Sequence, residues 1–127
     1  MKALKTKFFS LIVISVVLLL NGCTEPVDFD GTETATENQF ILDFDALNVI
    51  KRHEMTLFPG EIVDVKIIKE KGILDIKVYT SDNQMIYQGD DVSSCEFSIP
   101  INDLDMYWFN VNGQKASGYV SFIVREK

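Results

Sequence analysis

The feature that most constrains this chain is an alternation of apolar and polar residues with a period of two, beginning at residue 40. Phe40, Leu42 and Phe44 alternate with Ile41, Asp43 and Asp45, and Val63, Val65 and Ile67 with Asp64, Lys66 and Ile68. Leu74, Ile76 and Val78 alternate with Asp75 and Lys77. Further runs centre on Met55 and Leu57, on Met85-Ile86-Tyr87, on Cys95, Phe97 and Ile99, on Tyr107, Phe109 and Val111, and on Val120, Phe122 and Val124. Side chains on a strand alternate between two faces, whereas a helix needs its apolar residues every three or four positions. Turn signals separate the runs: Pro59-Gly60, Lys71-Gly72, Ser81-Asp82-Asn83, Gly89-Asp90-Asp91, Asn102-Asp103 and Asn112-Gly113. The pattern predicts an all-β domain over 40–127, an antiparallel, Greek-key-like β-sandwich of seven or eight short strands with no helix.

Two details sharpen that expectation. Read as a hairpin about Asn112-Gly113, the last two runs set Phe109 opposite Val120 and Tyr107 opposite Phe122 on one face. Trp108, Met106, Ile123 and Tyr119 then form an apolar patch on the other. Asp103-Leu104-Asp105-Met106-Tyr107 resembles a tyrosine corner, in which Asp105 shapes the turn and the Tyr107 hydroxyl bonds back to the main chain.

The first residues are of another kind. Residues 1–7 carry three Lys and no acid, and residues 8–20, FFSLIVISVVLLL, are apolar but for two Ser. As a helix this run is about 20 Å long, short of a bilayer core of about 30 Å. A basic start before a short apolar run is the pattern of a secretory signal. The run ends in Leu20-Asn21-Gly22-Cys23, which resembles the lipobox of bacterial lipoproteins. The resemblance implies cleavage between Gly22 and Cys23 and a diacylglyceryl thioether on Cys23. Two or more acyl chains suffice for stable membrane anchoring. Residues 1–22 thus read as a lipoprotein signal peptide, with the protein held on the outer side of a bacterial membrane.

Residues 23–39 hold the lipidated Cys and an acidic stretch, TEPVDFDGTETATENQ, with five acids, no base and few apolar groups. Such a composition buries too little to offset its ordering entropy, so it reads as a flexible tether. Once Cys23 carries lipid, Cys95 has no intrachain partner, and its alternation with Phe97 and Ile99 predicts a small buried hydrophobe.

From Gly60-Glu61 through Lys71-Gly72-x-Leu74-x-Ile76-x-Val78, Ile86-Tyr87-Gln88-Gly89 and Phe97-x-Ile99-Pro100, the order of motifs is that of a known kind of domain. It continues through Asp105-x-Tyr107-x-Phe109-x-Val111 to Gly113-x-x-Ala116-x-Gly118-x-Val120. It resembles small β-sandwich domains of bacterial lipoproteins, similar to GOLD-like and pre-peptidase C-terminal domains. The resemblance implies a non-catalytic accessory module.

The chemistry-bearing residues agree with that implication. His53 is the chain's one imidazole and sits in the charged stretch Lys51-Arg52-His53-Glu54, as expected of a surface histidine. There is no Cys-x-x-Cys or His-x-x-x-His for a metal, and no Gly-rich loop leading into a helix for a phosphate. Asp28-Phe29-Asp30-Gly31 matches only a fragment of a calcium loop. Asp43 with Asp45, Asp90 with Asp91, and Asn102 with Asp103 and Asp105 read as solvated acids rather than a hydrolase's carboxylate pair. With 19 Asp and Glu against 12 Lys and Arg, nucleic acid is excluded as a partner. No cofactor is implied. The expected partners are the membrane, through Cys23, and an envelope protein or glycan, with Trp108 the residue most suited to contact it.

Overall fold

The computed structural model describes residues 27–126; Gly22 and Cys23, with the rest of the lipobox, lie outside them. The chain forms β1 (Phe29–Ala35), β2 (Gln39–Leu47), β3 (Ile50–Leu57), β4 (Ile62–Thr80), β5 (Met85–Gly89), β6 (Cys95–Pro100) and β7 (Asp105–Arg125). Every pairing is antiparallel, and the described residues contain no helix. The fold is the expected all-β one.

Two long strands organise it. β4 has 19 residues and β7 has 21, and they pair along almost their whole lengths. The first half of β7 lies between β3 and the second half of β4, while its second half lies between β2 and the first half of β4. One layer therefore runs β1-β2-β7-β4-β6 and the other β3-β7-β4-β5, and both come from a single sheet folded over. Phe109 and Phe122 show the fold-over directly. Their ring centres are 4.9 Å apart, although residues thirteen apart in a straight strand would be separated by about 43 Å.

The fold-over leaves a mark in the alternation. Along β4 the buried positions are Val63, Val65 and Ile67, then Leu74, Ile76 and Val78. Along β7 they are Tyr107, Phe109 and Val111, then Val120 and Phe122. Odd numbers give way to even in both strands, so an extra residue has been inserted at each bend. The register shifts of β4 fall between Lys69 and Ile73, and positive φ values occur at Gly72 (75°), Lys115 (49°) and Gly118 (153°). The core these positions form also takes in Phe40, Leu42, Phe44 and Leu47 from β2 and Met55 and Leu57 from β3.

Two expectations are corrected here. Asn112-Gly113 is not a hairpin turn: β7 runs through it, Phe109 pairs with Val78, and Val120 pairs with Ile67. A bulged bend and a tight turn both interrupt alternation with Asn and Gly, and Lys71-Gly72 is likewise a bend within β4. The stretch read as a flexible tether contains β1, which pairs with β2 from Phe29 to Ala35. Its order comes from main-chain hydrogen bonds to a sheet edge, which need no apolar side chains. The few inward side chains are provided for. Phe29 packs on the core, Lys51 lies 4.4 Å from the Phe29 ring centre, and the Lys51 ammonium is 3.4 Å from the Glu33 carboxylate.

Candidate binding face

The outer face of the β3-β7-β4-β5 layer brings Trp108 together with Tyr79, Arg52, Lys77 and Asn110. Cross-strand partners share a face, so the register sets them in rows. Glu54, Trp108, Tyr79 and Met85 form one row, and Arg52, Asn110, Lys77 and Gln88 the next. Trp108 and Tyr79 are half-buried by their neighbours in the sheet, and Met106, beside Trp108 on the same face, is exposed. Arg52, Lys77, Met85 and Gln88 on this face are exposed as well.

Within it the polar groups are ordered. The Arg52 guanidinium sits 5.4 Å from the Trp108 ring centre, in cation–π range. The Asn110 side-chain amide donates to the Tyr79 hydroxyl at 3.2 Å. Asn110 Oδ1 is buried and has no hydrogen-bond partner among the described residues. An acceptor in that state costs about 1–3 kcal/mol. Neither Arg52 nor Lys77 forms an ion pair among the described residues.

The four residues expected to share a patch are divided. Met106 and Trp108 lie on this face, but Tyr119 and Ile123 lie on the outer face of the other layer, because β7 changes layer between them. There, with Asp64, Lys66, Glu96, Ser98 and Ser121, they line an open groove of about 470 Å³. Its charges are already paired: Arg125 Nε donates to Asp64 Oδ2 at 2.7 Å, and Lys66 lies 3.5 Å from Glu96. The Ser98 hydroxyl also donates to Asp64, and these donors hold the Asp64 carboxyl below the usual carboxylate range.

At the bend before β7, the Tyr107 hydroxyl donates to the Asp103 carbonyl at 2.7 Å. Burial, first, and the nearby carboxylates push the Tyr107 phenol up. Asp105 accepts from the Ser81 hydroxyl and from the Met106 amide, both at 2.7 Å, which lowers its carboxyl. These two residues fix the corner that delivers Met106 and Trp108 to the outer face.

The remaining chemistry-bearing residues are apart from one another. His53 is half-buried, its Nε2–H donating to the Thr36 carbonyl at 2.6 Å and its ring 5.5 Å from that of Phe40. It ties β3 to the β1–β2 turn. Cys95 is exposed rather than buried: burial along β6 fades from Ile99 through Phe97 to Cys95 as the strand leaves the core. Gly31 of the calcium-loop fragment lies in β1 against the backbone of Asp43, not in a loop. No group of three His, Cys, Asp or Glu residues suited to a metal occurs among the described residues.

Sequence reasoning found Trp108 and missed Arg52, Tyr79, Lys77 and Asn110. Alternation marked Lys77 and Asn110 as outward. That β3 and β4 flank the first half of β7, and so bring these residues beside Trp108, required the sheet order.

No family model matches the chain, and no curated protein does. Among solved structures it is similar to PliG of Aeromonas hydrophila, a periplasmic inhibitor of g-type lysozyme. That alignment has 11% identity and a TM-score of 0.47, and covers 75% of this chain and 88% of that one. It is also similar to the structure of accessory secretory protein 1, 2 and 3 in Streptococcus pneumoniae. There the identity is 10% and the TM-score 0.37, with 84% of this chain and 90% of that one covered.

Proposed function

We propose that this protein is a lipid-anchored, non-catalytic binding module on the outer side of a bacterial membrane, contacting an envelope partner through the Trp108 face. The observation that carries the reading is the pairing of Trp108 with Tyr79 on a sheet face whose surrounding residues Arg52, Lys77, Met85, Gln88 and Met106 are exposed. Half-buried aromatics are a rigid contact surface, since they lose little side-chain freedom on binding. The basic start, the apolar run and Leu20-Asn21-Gly22-Cys23 support the anchor. The engagement of His53, the one imidazole, with a main-chain carbonyl supports a non-catalytic role.

The anchor would be short. Asn48 Nδ2 donates to the Val27 carbonyl at 2.8 Å, and the Lys115 amide donates to Asn48 Oδ1 at 2.7 Å, so residue 27 is fixed to the bend of β7. From Cys23 to Val27 the chain reaches at most ~14 Å. A lipidated Cys23 would hold that end of the sandwich beside the membrane.

Two measurements test the reading. Incorporation of labelled palmitate in cells is expected for the wild type and lost in Cys23→Ser. Co-sedimentation of the protein with purified envelope material is expected to fall in Trp108→Ala at an unchanged unfolding midpoint. Retained sedimentation in a folded Trp108→Ala variant rejects this face as the binding surface.

A further inference from the structure

We infer that the ligand of the Trp108 face is a saccharide bearing carboxylates. The inference rests on the reading of this face as the binding surface and adds the ligand's chemistry. Trp108 and Tyr79 lie on adjacent strands in register, about 4.8 Å apart. Two neighbouring aromatic side chains give a platform for the apolar faces of sugar rings, which carry C–H groups that pack on a π-surface.

The row beside the aromatics determines what kind of sugar fits. Arg52 and Lys77 offer a guanidinium and an ammonium, which only donate, while Gln88 and Asn110 offer amides that can also accept, the Asn110 nitrogen being already engaged by Tyr79. Residues two apart along a strand are about 7 Å apart, so a ring seated on Trp108 can extend a carboxylate over this row. A guanidinium fork matches a carboxylate in a way an amide cannot.

Charge makes the row informative. The chain carries 19 acids against 12 Lys and Arg, yet here two cations have no ion-pair partner among the described residues. The acids nearest them on the same face are Glu54, beside Trp108, and Asp75, whose Oδ1 is taken by the Asp91 amide at 2.8 Å. On the opposite layer, by contrast, Lys66 in the groove is paired with Glu96, and Arg125 with the groove's Asp64. The unpartnered Asn110 Oδ1, on the residue in register between Arg52 and Lys77, is an acceptor and so suits a sugar hydroxyl, leaving the carboxylate to the two cations. A protein partner would favour an apolar centre with charge at the rim. A row of cations and amides set against the aromatics fits a hydroxyl- and carboxylate-rich chain better.

The full chain, purified in detergent, is tested on an array that pairs each carboxylated oligosaccharide with its carboxyl-reduced counterpart. Binding is expected to carboxylated members, about tenfold or more above their reduced forms, and to weaken with salt. R52Q and K77Q, both at exposed positions, are expected to abolish that preference with an unchanged unfolding midpoint. W108A is expected to lose binding to both forms. Equal binding of carboxylated and reduced forms overturns the inference. So does the absence of glycan binding by a protein that still sediments with envelope material through Trp108, an outcome that leaves the binding face standing. Envelope binding that ignores W108A overturns both.

Discussion

The backbone of Gly118 lies directly against the carbonyl of Ile68, at the place where β7 crosses from one layer to the other. A Cβ on residue 118 would collide with the Ile68 carbonyl oxygen, and the glycine's φ of 153° is one that other residues rarely adopt. The contact is between two main chains, so no side chain can move to relieve it. Gly118→Ala is expected to destabilise the protein by about 3 kcal/mol, seen as a lower urea midpoint. A midpoint within error of wild type would mean that the bend is softer than this contact requires.

β1 is the strand least secured by apolar burial, and Lys51 is its main side-chain link to the second layer. Its ammonium meets both Glu33 and the Phe29 ring. Both groups of the ion pair are partly solvated, so the link contributes about 0.5–1 kcal/mol. Lys51→Ala is expected to speed amide exchange in Gly31–Ala35 and to leave the centres of β4 and β7 protected. Uniform loss of protection would show β1 to be part of the global unfolding unit.

The period-two pattern made the strands of the core legible, and nearly every run it marked contributes a buried row, from Phe40-Leu42-Phe44 to Val120-Phe122. Three things were hidden, each for a physical reason. β1 is ordered by its main chain, and composition reports only on side chains. β4 and β7 pass through bulged bends whose Gly and Asn are the same residues a hairpin uses. Cys95 keeps its place in the alternation but not its burial, because a strand can outrun the core it faces. Trp108 was legible as an outward aromatic, whereas its neighbours Tyr79, Arg52 and Asn110 are set by sheet order, which a one-dimensional pattern does not encode.

Tyr107 couples the corner to alkaline pH. Burial pushes its phenol above the ordinary value of 10.0, and Tyr87 is shifted in the same direction, again chiefly by burial. The folded state therefore resists ionisation more than the unfolded chain does. Stability is full below about pH 10 and falls as pH rises through the raised values. Tyr107→Phe is expected to cost about 1 kcal/mol at neutral pH, from the lost bond to the Asp103 carbonyl, and to flatten the alkaline fall. An alkaline profile identical to wild type would remove Tyr107 as its source.

At acid pH the sign reverses. Asp64 is held low by Ser98 and Arg125, and Asp105 by the Ser81 hydroxyl and the Met106 amide. Carboxyls depressed in the folded state stabilise it above their ordinary value of 3.8, and that contribution is lost as pH falls through the depressed values. Asp105→Asn is expected to be less stable than wild type at pH 7, with the gap closing towards pH 2. A gap of constant size across that range would show the corner to depend on the side chain's shape rather than its charge.

Cys95 supplies the last expectation. It is free and exposed on β6, where it pairs across from Ile67 of β4 while its own side chain reaches solvent. A thiol buried in the core reacts only when the protein opens, at a rate set by unfolding. An exposed one reacts with the folded state. In Cys23→Ser, where Cys95 is the remaining thiol, a thiol-specific reagent is expected to modify one group per chain in buffer, at the rate found in denaturant to within about tenfold. Cys95→Ser should keep the wild-type unfolding midpoint, because replacing an exposed sulfur with oxygen opens no cavity. Labelling that appears only in denaturant, together with a destabilised Cys95→Ser, would place the thiol back inside the core that its alternation with Phe97 and Ile99 suggests.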